Sequence, residues 1–505
     1  MSKQTCLAAV FSLIMSLTAA GQEPAPKPAP ADGVSIPDPV RFLTHHEGRF
    51  NGVDVRYTAT AGEIFLTDDQ GAPTARLWST AYTRDDAEPG RPVTFVFNGG
   101  PGSASLWLHM GLLGPVRIRV ASDADADDGA PPYSLVPNPH SPLDVTDLVF
   151  IDPVGTGYSR AAGKAKNEDF WGLVPDARSV ARFIRRWITL HQRWNSPRYI
   201  MGESFGTTRA AAVADELTRD GQNTALNGLV LISQALDYTG STPAHDNLIA
   251  YVTYLPTMAA TARYHGQAGQ DRSLEDFLAD ARKFAVEEYL PALFKGSGLS
   301  GAERDRIAGR LSDFIGLDKD YVLRAELRVL GPRFRKRLLR DRGLAVGRLD
   351  GRYLQDDIDD TAERPESDAA SDAITSAYTS GINHYLAASL KVTMDRPYLT
   401  SNRNIGSKWD WKPTPDGRRW EPAYVNVARR LSSVMRRNAD LRVLVAGGYY
   451  DFATPFFDAE YTFARHGIRM ERVTMTYHEA GHMMYLHDPD RVRLCAEIHA
   501  FLTSR

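Results

Sequence analysis

The sequence predicts an α/β fold with a mostly parallel central sheet. Short apolar runs of the buried-strand type recur along the chain and alternate with helical patterns, as is typical of parallel sheets. These runs lie at residues 93–97, 148–151, 199–201, 229–232, 441–446 and 473–477. Ahead of them, residues 53–83 alternate apolar and polar positions between turn residues, which predicts antiparallel strands at the start of the sheet.

Helices are predicted between several of these strands. Residues 176–194 repeat apolar side chains at the spacing of one helix face, and residues 205–217 are rich in alanine. A further helical pattern at residues 491–502 follows the last predicted strand. We therefore expect helices to flank the sheet.

The composition excludes several classes of protein. Of the 505 residues, 43% are hydrophobic and 24% are charged, proportions typical of globular proteins rather than of disordered chains. The net charge of -3 argues against nucleic-acid binding, which usually needs a strongly basic surface. The two cysteines are too few for a disulfide scaffold or for a zinc site made of cysteines alone. We expect no cofactor and no resident metal.

The first 40 residues are typical of export and of a linker. Residues 1–20 combine Lys3, an apolar run and small residues at its end, the pattern of a secretory signal peptide. This run is shorter than the roughly 20 apolar residues that a membrane span needs. Residues 21–40 contain repeated prolines and predict an extended linker. We expect a periplasmic or secreted protein without stable membrane insertion.

The alternation of strands and helices divides the remaining chain into three segments. Residues 41–237 and 440–505 form the two parts of the predicted core, and residues 238–439 form a mainly helical, highly charged insertion. We expect this insertion to be a lid over the active edge of the sheet. Its charge runs predict solvated helix faces that pair with each other rather than a binding patch. The basic members are Arg333, Arg335, Arg337, Arg340 and Arg342, and the acidic members are Asp356, Asp357, Asp359 and Asp360.

Residues 202–206 form a G-x-S-x-G pattern centred on Ser204. The pattern directly follows a predicted strand and directly precedes the alanine-rich helix. A sharp turn from strand to helix exposes the serine hydroxyl at the carboxyl edge of the sheet, and the N–H of Phe205 points to the same place. This context favours Ser204 as a nucleophile over an ordinary turn residue.

A serine nucleophile needs a base, and the base needs an orienting acid. Asp451 lies in a loop after the predicted strand at 441–446, and His478 and His482 follow the strand at 473–477. The chain order Ser, Asp, His is that of hydrolases built on this strand–turn–helix motif. From the residues alone, either histidine is a candidate base.

A glycine-rich segment at residues 98–103 follows the strand at 93–97 without a gap. Its three glycines let backbone N–H groups approach a ligand closely, as a second oxyanion-hole donor must. A phosphate-binding loop is excluded, because the segment lacks a G-x-x-x-x-G-K pattern and Pro101 breaks the G-x-G-x-x-G spacing.

Four blocks together resemble the serine carboxypeptidase family, which has the α/β-hydrolase fold. The blocks are residues 97–105 (FNGGPGSAS), 150–159 (FIDPVGTGYS), 202–206 (GESFG), and the pair 447–451 (GGYYD) with 480–483 (AGHM). They occur in the family's order, and a large insertion between the nucleophile and the acid is also typical there. The resemblance implies a secreted serine-type carboxypeptidase that forms an acyl-enzyme and acts on peptides or proteins with a free C-terminus.

The resemblance also implies a role for each matching residue. It makes Ser204 the nucleophile, Asp451 the orienting acid and His482 the base. His482 is preferred to the other histidine because the family's base stands in an A-G-H-M context. The oxyanion-hole N–H groups would come from Gly100 and Phe205.

The terminal carboxylate of the substrate is assigned by the same resemblance to Asn98, Gly99 and Glu203. Glu203 can lie beside that carboxylate only if it is protonated and shares its proton with the anion. The family's second glutamate falls on Leu112, so half of the usual carboxylate clamp is absent. The absent glutamate therefore predicts a weakened preference for substrates with a free C-terminus.

Two other functions are consistent with parts of the sequence. Residues 478–482 match H-E-x-x-H, the motif of a zinc metallopeptidase, which requires both histidines on one face of a helix. Here the first histidine ends a strand-like run, which argues against that motif. A non-catalytic exported binding protein on the same scaffold is the third possibility, because a fold alone does not determine function.

Overall fold

A mixed sheet forms the centre of this computed structural model, which describes residues 38–504 without 89, 123, 125–128, 220, 222 and 412–423. The predicted signal peptide and residues 21–37 of the predicted linker lie outside the described residues. The strands are β1 (Arg41–Phe50), β2 (Val53–Thr67), β3 (Pro73–Arg84), β4 (Val93–Phe97), β5 (Val116–Ile118), β6 (Leu135–Pro137), β7 (Asp147–Ile151), β8 (Arg160–Ala161), β9 (Arg198–Glu203), β10 (Gly228–Ile232), β11 (Leu344–Val346), β12 (Leu354–Asp356), β13 (Arg442–Gly448) and β14 (Val473–His478).

The main sheet has the order β1-β2-β3-β7-β4-β9-β10-β13-β14. The short strand β8 pairs antiparallel with the beginning of β3. Its first strands pair antiparallel, including β3 with β7. From β7 to β14 every neighbouring pair is parallel. A parallel sheet with one antiparallel end, carrying its serine turn after a central strand, is the α/β-hydrolase fold. The predicted fold class is confirmed.

Helices lie on both faces of the sheet and in the long connection between β10 and β13. The helices are α1 (Leu106–Leu108), α2 (Leu173–Leu190), α3 (Phe205–Glu216), α4 (Leu248–Tyr264), α5 (Leu274–Phe284), α6 (Leu290–Lys295), α7 (Gly301–Ile315), α8 (Lys319–Arg324), α9 (Gly331–Arg337), α10 (Ala369–His384), α11 (Arg403–Lys408), α12 (Ala428–Arg437), α13 (Phe456–Phe463) and α14 (Asp488–Thr503).

Burial of both sheet faces explains the continuous apolar runs in the sequence. Every residue of β4, β7 and β10 is buried. Successive side chains of a strand point to opposite faces, so Leu229 and Leu231 join the core under α2, α3 and α12, while Val230 and Ile232 join the core under α10 and α14. β1, in contrast, alternates exposed and half-buried residues as an edge strand of the antiparallel end.

The connection between β10 and β13 has a hydrophobic core of its own, centred on α4, α5 and α7. Several of its charges pair within it, but Arg335 and Asp357 are buried and not on a solvated helix face as predicted. Lys336 is buried and contacts Asp357 at 2.7 Å, and Arg333 contacts Glu363 at 2.8 Å. No helix among the described residues is both long and apolar enough to cross a membrane.

Candidate active site

The turn at Ser204 joins the end of β9 to the start of α3, the context predicted from the sequence. Ser204 adopts φ 60° and ψ −130°, a region that L-residues occupy only when the surrounding structure imposes it. A Cβ atom on Gly202 would lie 2.2 Å from the carbonyl oxygen of Gly206, so the turn has no room for a side chain there. The N–H of Ser204 donates to Ile232 at 3.0 Å, which ties the turn to the neighbouring strand.

Asp451 and His482 form a buried hydrogen-bonded pair at the carboxyl ends of β13 and β14. The distance from His482 Nδ1 to Asp451 Oδ2 is 2.7 Å. Asp451 is inaccessible to solvent and accepts further hydrogen bonds from the N–H groups of Ala453 and Thr454 and from the Thr454 hydroxyl. These donors fix the orientation of the Asp451 side chain. Burial acts to lower the pKa of His482, but the charge of Asp451 and the hydrogen bond to it raise the pKa above its usual 6.5.

The end of β10 lies between the nucleophile turn and the His482 loop, because Ile232 accepts the N–H of Ser204 and Ser233 donates to the carbonyl oxygen of His482. Among the described residues, no hydrogen bond joins the Ser204 hydroxyl to the imidazole of His482. Such contacts are commonly long in substrate-free enzymes and shorten when the substrate binds. Ser204 is half-buried, whereas His482 is 4% exposed.

The two histidines of the H-E-x-x-H motif lie in different environments. His478 ends β14 and contacts Asp490 through Nδ1 and Glu497 through Nε2, at 3.1 and 3.2 Å. His482 contacts Asp451 instead. The helix that a zinc site of this type requires is absent from residues 473–487, which form a strand, a loop and a short 3₁₀ turn. In the described part of the chain, no group of three or more His, Cys, Asp or Glu side chains is arranged so that it could hold a metal ion.

The glycine-rich segment lies directly against the nucleophile turn. A Cβ atom on Gly99 would be 2.6 Å from the N atom of Phe205, so only glycine permits this approach. Gly100 has φ +104°, in the region that favours glycine. Phe205 is the first residue of α3, where an N–H has no acceptor within the helix. The two predicted oxyanion-hole donors thus belong to segments in direct contact.

Asn98 and Glu203, predicted to bind the substrate carboxylate, contact each other. Asn98 Nδ2 donates to Glu203 Oε1 at 3.1 Å, and Asn98 Oδ1 accepts the N–H of Leu108 at 3.0 Å. Both side chains are buried. Burial raises the pKa of Glu203 to about 7, against an opposing effect of the nearby His482. Glu203 is therefore largely protonated at acidic pH, the state that carboxylate binding requires.

Tyr485 is a neighbour of Glu203 that the sequence reasoning missed. Its hydroxyl lies beside the carboxyl group of Glu203. Both the Tyr485 hydroxyl and Glu203 Oε2 are buried and have no hydrogen-bond partner of good geometry among the described residues. The only sequence signal was the position of Tyr485, three residues after His482.

Leu112 contributes no polar group to this site. Its side chain is fully buried in the hydrophobic core, within the π-helical turn His109–Leu113. At the adjacent Gly111, a Cβ atom would meet the Tyr378 hydroxyl at 2.5 Å and the Tyr485 ring at 2.6 Å. Tyrosines thus fill the space beside this turn.

An aromatic cluster from the long connection lies beside Phe205 and was also missed. Trp409 and Trp411 pack edge-on against the Phe205 ring, with centroids 5.1 and 5.9 Å away. Tyr238 packs against Trp411 at 5.8 Å. Trp411 is 39% exposed. This cluster presents an apolar wall next to the nucleophile turn.

The comparisons with known proteins agree with these features. Residues 68–269 match the family model described as serine carboxypeptidase. The chain is related to the serine carboxypeptidases. The matched stretch contains the glycine-rich segment, the block at 150–159 and Ser204, so the resemblance stated from the sequence is confirmed. Asp451 and His482 lie outside it.

Individual serine carboxypeptidases are distant and match only in part. Serine carboxypeptidase-like 16 of Arabidopsis thaliana is 28% identical over 154 residues, which are 29% of this chain and 34% of that protein. The pheromone-processing carboxypeptidase KEX1 of Cryptococcus gattii is 27% identical over 261 residues, which are 50% of this chain and 36% of that protein. The chain thus spans about a third of the length of these relatives.

Among solved structures, a proline iminopeptidase from Mycobacterium smegmatis is 16% identical, with a TM-score of 0.37 over 88% of this chain and 97% of that chain. A peroxisomal alpha-beta-hydrolase from Saccharomyces cerevisiae is 11% identical, with a TM-score of 0.32 over 92% of this chain and 90% of that chain.

Proposed function

We propose that this protein is a serine-type carboxypeptidase that acts through Ser204, His482 and Asp451. The observation that carries the proposal is the buried Asp451–His482 pair, which lies at the same sheet edge as the constrained turn of Ser204. The relation to serine carboxypeptidases supports peptides as substrates.

In the proposed reaction, the Ser204 hydroxyl attacks the scissile carbonyl carbon and His482 Nε2 takes its proton. Asp451 orients the imidazole and stabilises its positive charge. The N–H groups of Gly100 and Phe205 stabilise the negative oxygen of the tetrahedral intermediate. His482 then protonates the leaving amine, which produces an acyl-enzyme. Water, activated by His482, hydrolyses this ester and restores the Ser204 hydroxyl.

The terminal carboxylate of the peptide would bind at Asn98, Gly99 and Glu203. Protonated Glu203 can donate to it, and the Tyr485 hydroxyl, which lies beside Glu203, can supply a second donor where a second glutamate is absent. Because the pKa of Glu203 is raised to about 7 by burial, this binding weakens as pH rises through that value. We also propose export to the periplasm or the medium, on the basis of residues 1–20.

The proposal is tested by labelling and digestion of the purified protein. A fluorophosphonate probe should modify Ser204 in the wild type and leave Ser204→Ala unmodified. Time-resolved mass spectrometry of one unblocked peptide should show residues leaving singly from its C-terminus. Cleavage at internal bonds of the peptide would show that the protein is an endopeptidase and not a carboxypeptidase. Absence of labelling together with substrate binding would identify a non-catalytic binding protein instead.

A further inference from the structure

The long connection between β10 and β13 sends a short segment between the two loops that carry Asp451 and His482. This segment, residues 348–352, is named the strap here. Its backbone forms hydrogen bonds with His482 in one loop and with the two residues that flank Asp451 in the other. They run from His482 N–H to Leu349 O (2.6 Å), from Phe452 N–H to Arg348 O (3.0 Å) and from Gly351 N–H to Tyr450 O (2.8 Å).

Side chains of the strap add a second set of contacts to the His482 loop. Asp350 accepts the N–H of Gly481 at 3.0 Å and forms an ion pair with Arg352 at 2.6 Å. Arg352 Nη1 donates to the carbonyl oxygen of Glu479 at 2.9 Å. The Asp350 and Arg352 side chains are only 2% and 7% exposed. Charge-assisted hydrogen bonds of this kind are stronger than neutral ones.

The strap and the His482 loop also fit closely. A Cβ atom on Gly481 would lie 2.4 Å from both the Cβ atom of Asp350 and the carbonyl oxygen of Leu349. Gly481 precedes His482 directly. A displacement of the strap would therefore move the backbone from which the His482 ring projects.

We propose that Asp350 and Arg352 are positioning residues that hold His482 in line with Asp451 and Ser204. The inference rests on the proposed function only in taking His482 as the general base. It means that the insertion at 238–439 forms part of the support of the catalytic pair, in addition to any role as a cover. A misplacement of a reacting group by about 1 Å can cost on the order of a hundredfold in rate.

The test compares two buried ion pairs of the same insertion. Asp350→Asn keeps the shape of the side chain and removes its charge. Asp357→Asn does the same at the Lys336–Asp357 pair, which has a distance of 2.7 Å and exposures of 2% and 1% but contacts neither catalytic loop. Both variants should lose thermal stability. The loss that they share measures what a buried ion pair contributes to the fold, apart from any effect on His482.

The informative readout is the second-order rate of fluorophosphonate labelling at Ser204 per folded molecule. We expect Asp350→Asn to lower this rate and the kcat for a peptide about ten- to a hundredfold, with KM little changed. Asp357→Asn should label at the wild-type rate. Equal labelling of the two variants at matched folded fraction would overturn the proposal.

If Asp350→Asn fails to fold, Arg352→Lys is the second variant. Lysine keeps a positive charge beside Asp350 but loses the planar fork that also reaches Glu479, so labelling should slow by a smaller factor. An unchanged rate in this folded variant would also overturn the proposal. Wild-type protein that labels at Ser204 but removes no C-terminal residue would refute the carboxypeptidase activity alone, because the labelling comparison does not depend on the peptide.

Discussion

The hydroxyl of Ser233 donates a hydrogen bond of 2.6 Å to the carbonyl oxygen of His482. The preceding residue, Ile232, accepts the N–H of Ser204 at 3.0 Å. The end of β10 therefore contacts the nucleophile turn and the loop of the proposed base through two adjacent residues. Ser233 has φ 52°, an uncommon conformation for a residue with a side chain, and this conformation is imposed at the junction of the two loops.

Ser233→Ala should reduce kcat several-fold, because the His482 loop loses one of its supports. The lost hydrogen bond corresponds to about 1 kcal/mol of stability. Ser179→Ala is a matched control: its hydroxyl donates to the carbonyl oxygen of Asp176 at 2.8 Å, also buried, but on α2. Melting temperature and kcat are measured for both. A loss of kcat in the control as large as in Ser233→Ala would contradict the expected link to His482.

Ser204→Ala should abolish turnover and leave the fold intact. Loss of a triad nucleophile lowers kcat by about a million-fold in a well-studied serine protease. The turn itself depends on its glycines and on backbone contacts, so the melting temperature should stay near that of the wild type. Activity of the purified variant, free of wild-type contamination, is the measurement. Residual activity of a few per cent would show that another group is the nucleophile.

His482→Ala and His478→Ala should separate catalysis from stability. His482→Ala should remove activity while most of the protein stays folded. His478→Ala should retain kcat per folded molecule and lose stability, because Asp490 and Glu497 lose the imidazole that lies between them. The loss should be partial, because Asp490 keeps its contact with His487 and Glu497 keeps its contact with Arg493. Chelators should leave activity unchanged. Stoichiometric zinc, with equal damage to kcat from both substitutions, would favour a metallopeptidase.

The His478 cluster should make stability depend on pH. Burial acts to lower the pKa of His478, but its two carboxylate partners raise the pKa above 6.5, so this stabilisation is complete below pH 6.5 and is lost as pH rises through the raised value. Burial acts to raise the pKa values of Asp490 and Glu497, but His478 lowers them below 3.8 and 4.5, so their contribution is lost as pH falls below that range. The melting-temperature difference between wild type and His478→Ala should peak between pH 4.5 and 6.5. A difference independent of pH would refute this assignment.

The preference for free-acid peptides over amides should decline with pH. Burial raises the pKa of Glu203 to about 7. In the proposed role, Glu203 would donate to the substrate carboxylate when protonated and repel it when ionised. The ratio of kcat/KM for a matched acid and amide pair, measured from pH 4 to 8, should therefore fall above pH 7. Glu203→Gln should remove this pH dependence. A large acid preference that persists unchanged at pH 8 would contradict the role of Glu203.

Tyr485→Phe provides the matched test of the second donor. It should lower the acid preference about ten- to a hundredfold, the effect of one hydrogen bond to a charged group, and leave activity on amides unchanged.

Leu112→Glu would restore the second glutamate of the family's carboxylate clamp and is the substitution that the sequence alone favours. It should instead destabilise the fold, because Leu112 is fully enclosed in the apolar core.

The sequence by itself determined the features that depend on local patterns. The continuous apolar runs predicted the buried strands because parallel strands are covered on both faces. The G-x-S-x-G pattern around Ser204 predicted a sharp turn from strand to helix, and the structure has such a turn. The order of the motif blocks indicated the fold and the family because each block is a contiguous stretch with its own turn chemistry.

Only the tertiary structure decided which distant residues support the site. Asp350 reaches Gly481 across 131 positions of the chain, and Tyr485 comes beside Glu203 through the packing of one loop against another strand end. The aromatic cluster at Phe205 likewise comes from the insertion. Local periodicity specifies which face of a strand or helix is buried, but it does not specify which distant segment of the chain packs against that face. That choice depends on how the whole chain packs, because a contact between distant segments forms only where their shapes and hydrogen-bonding groups meet.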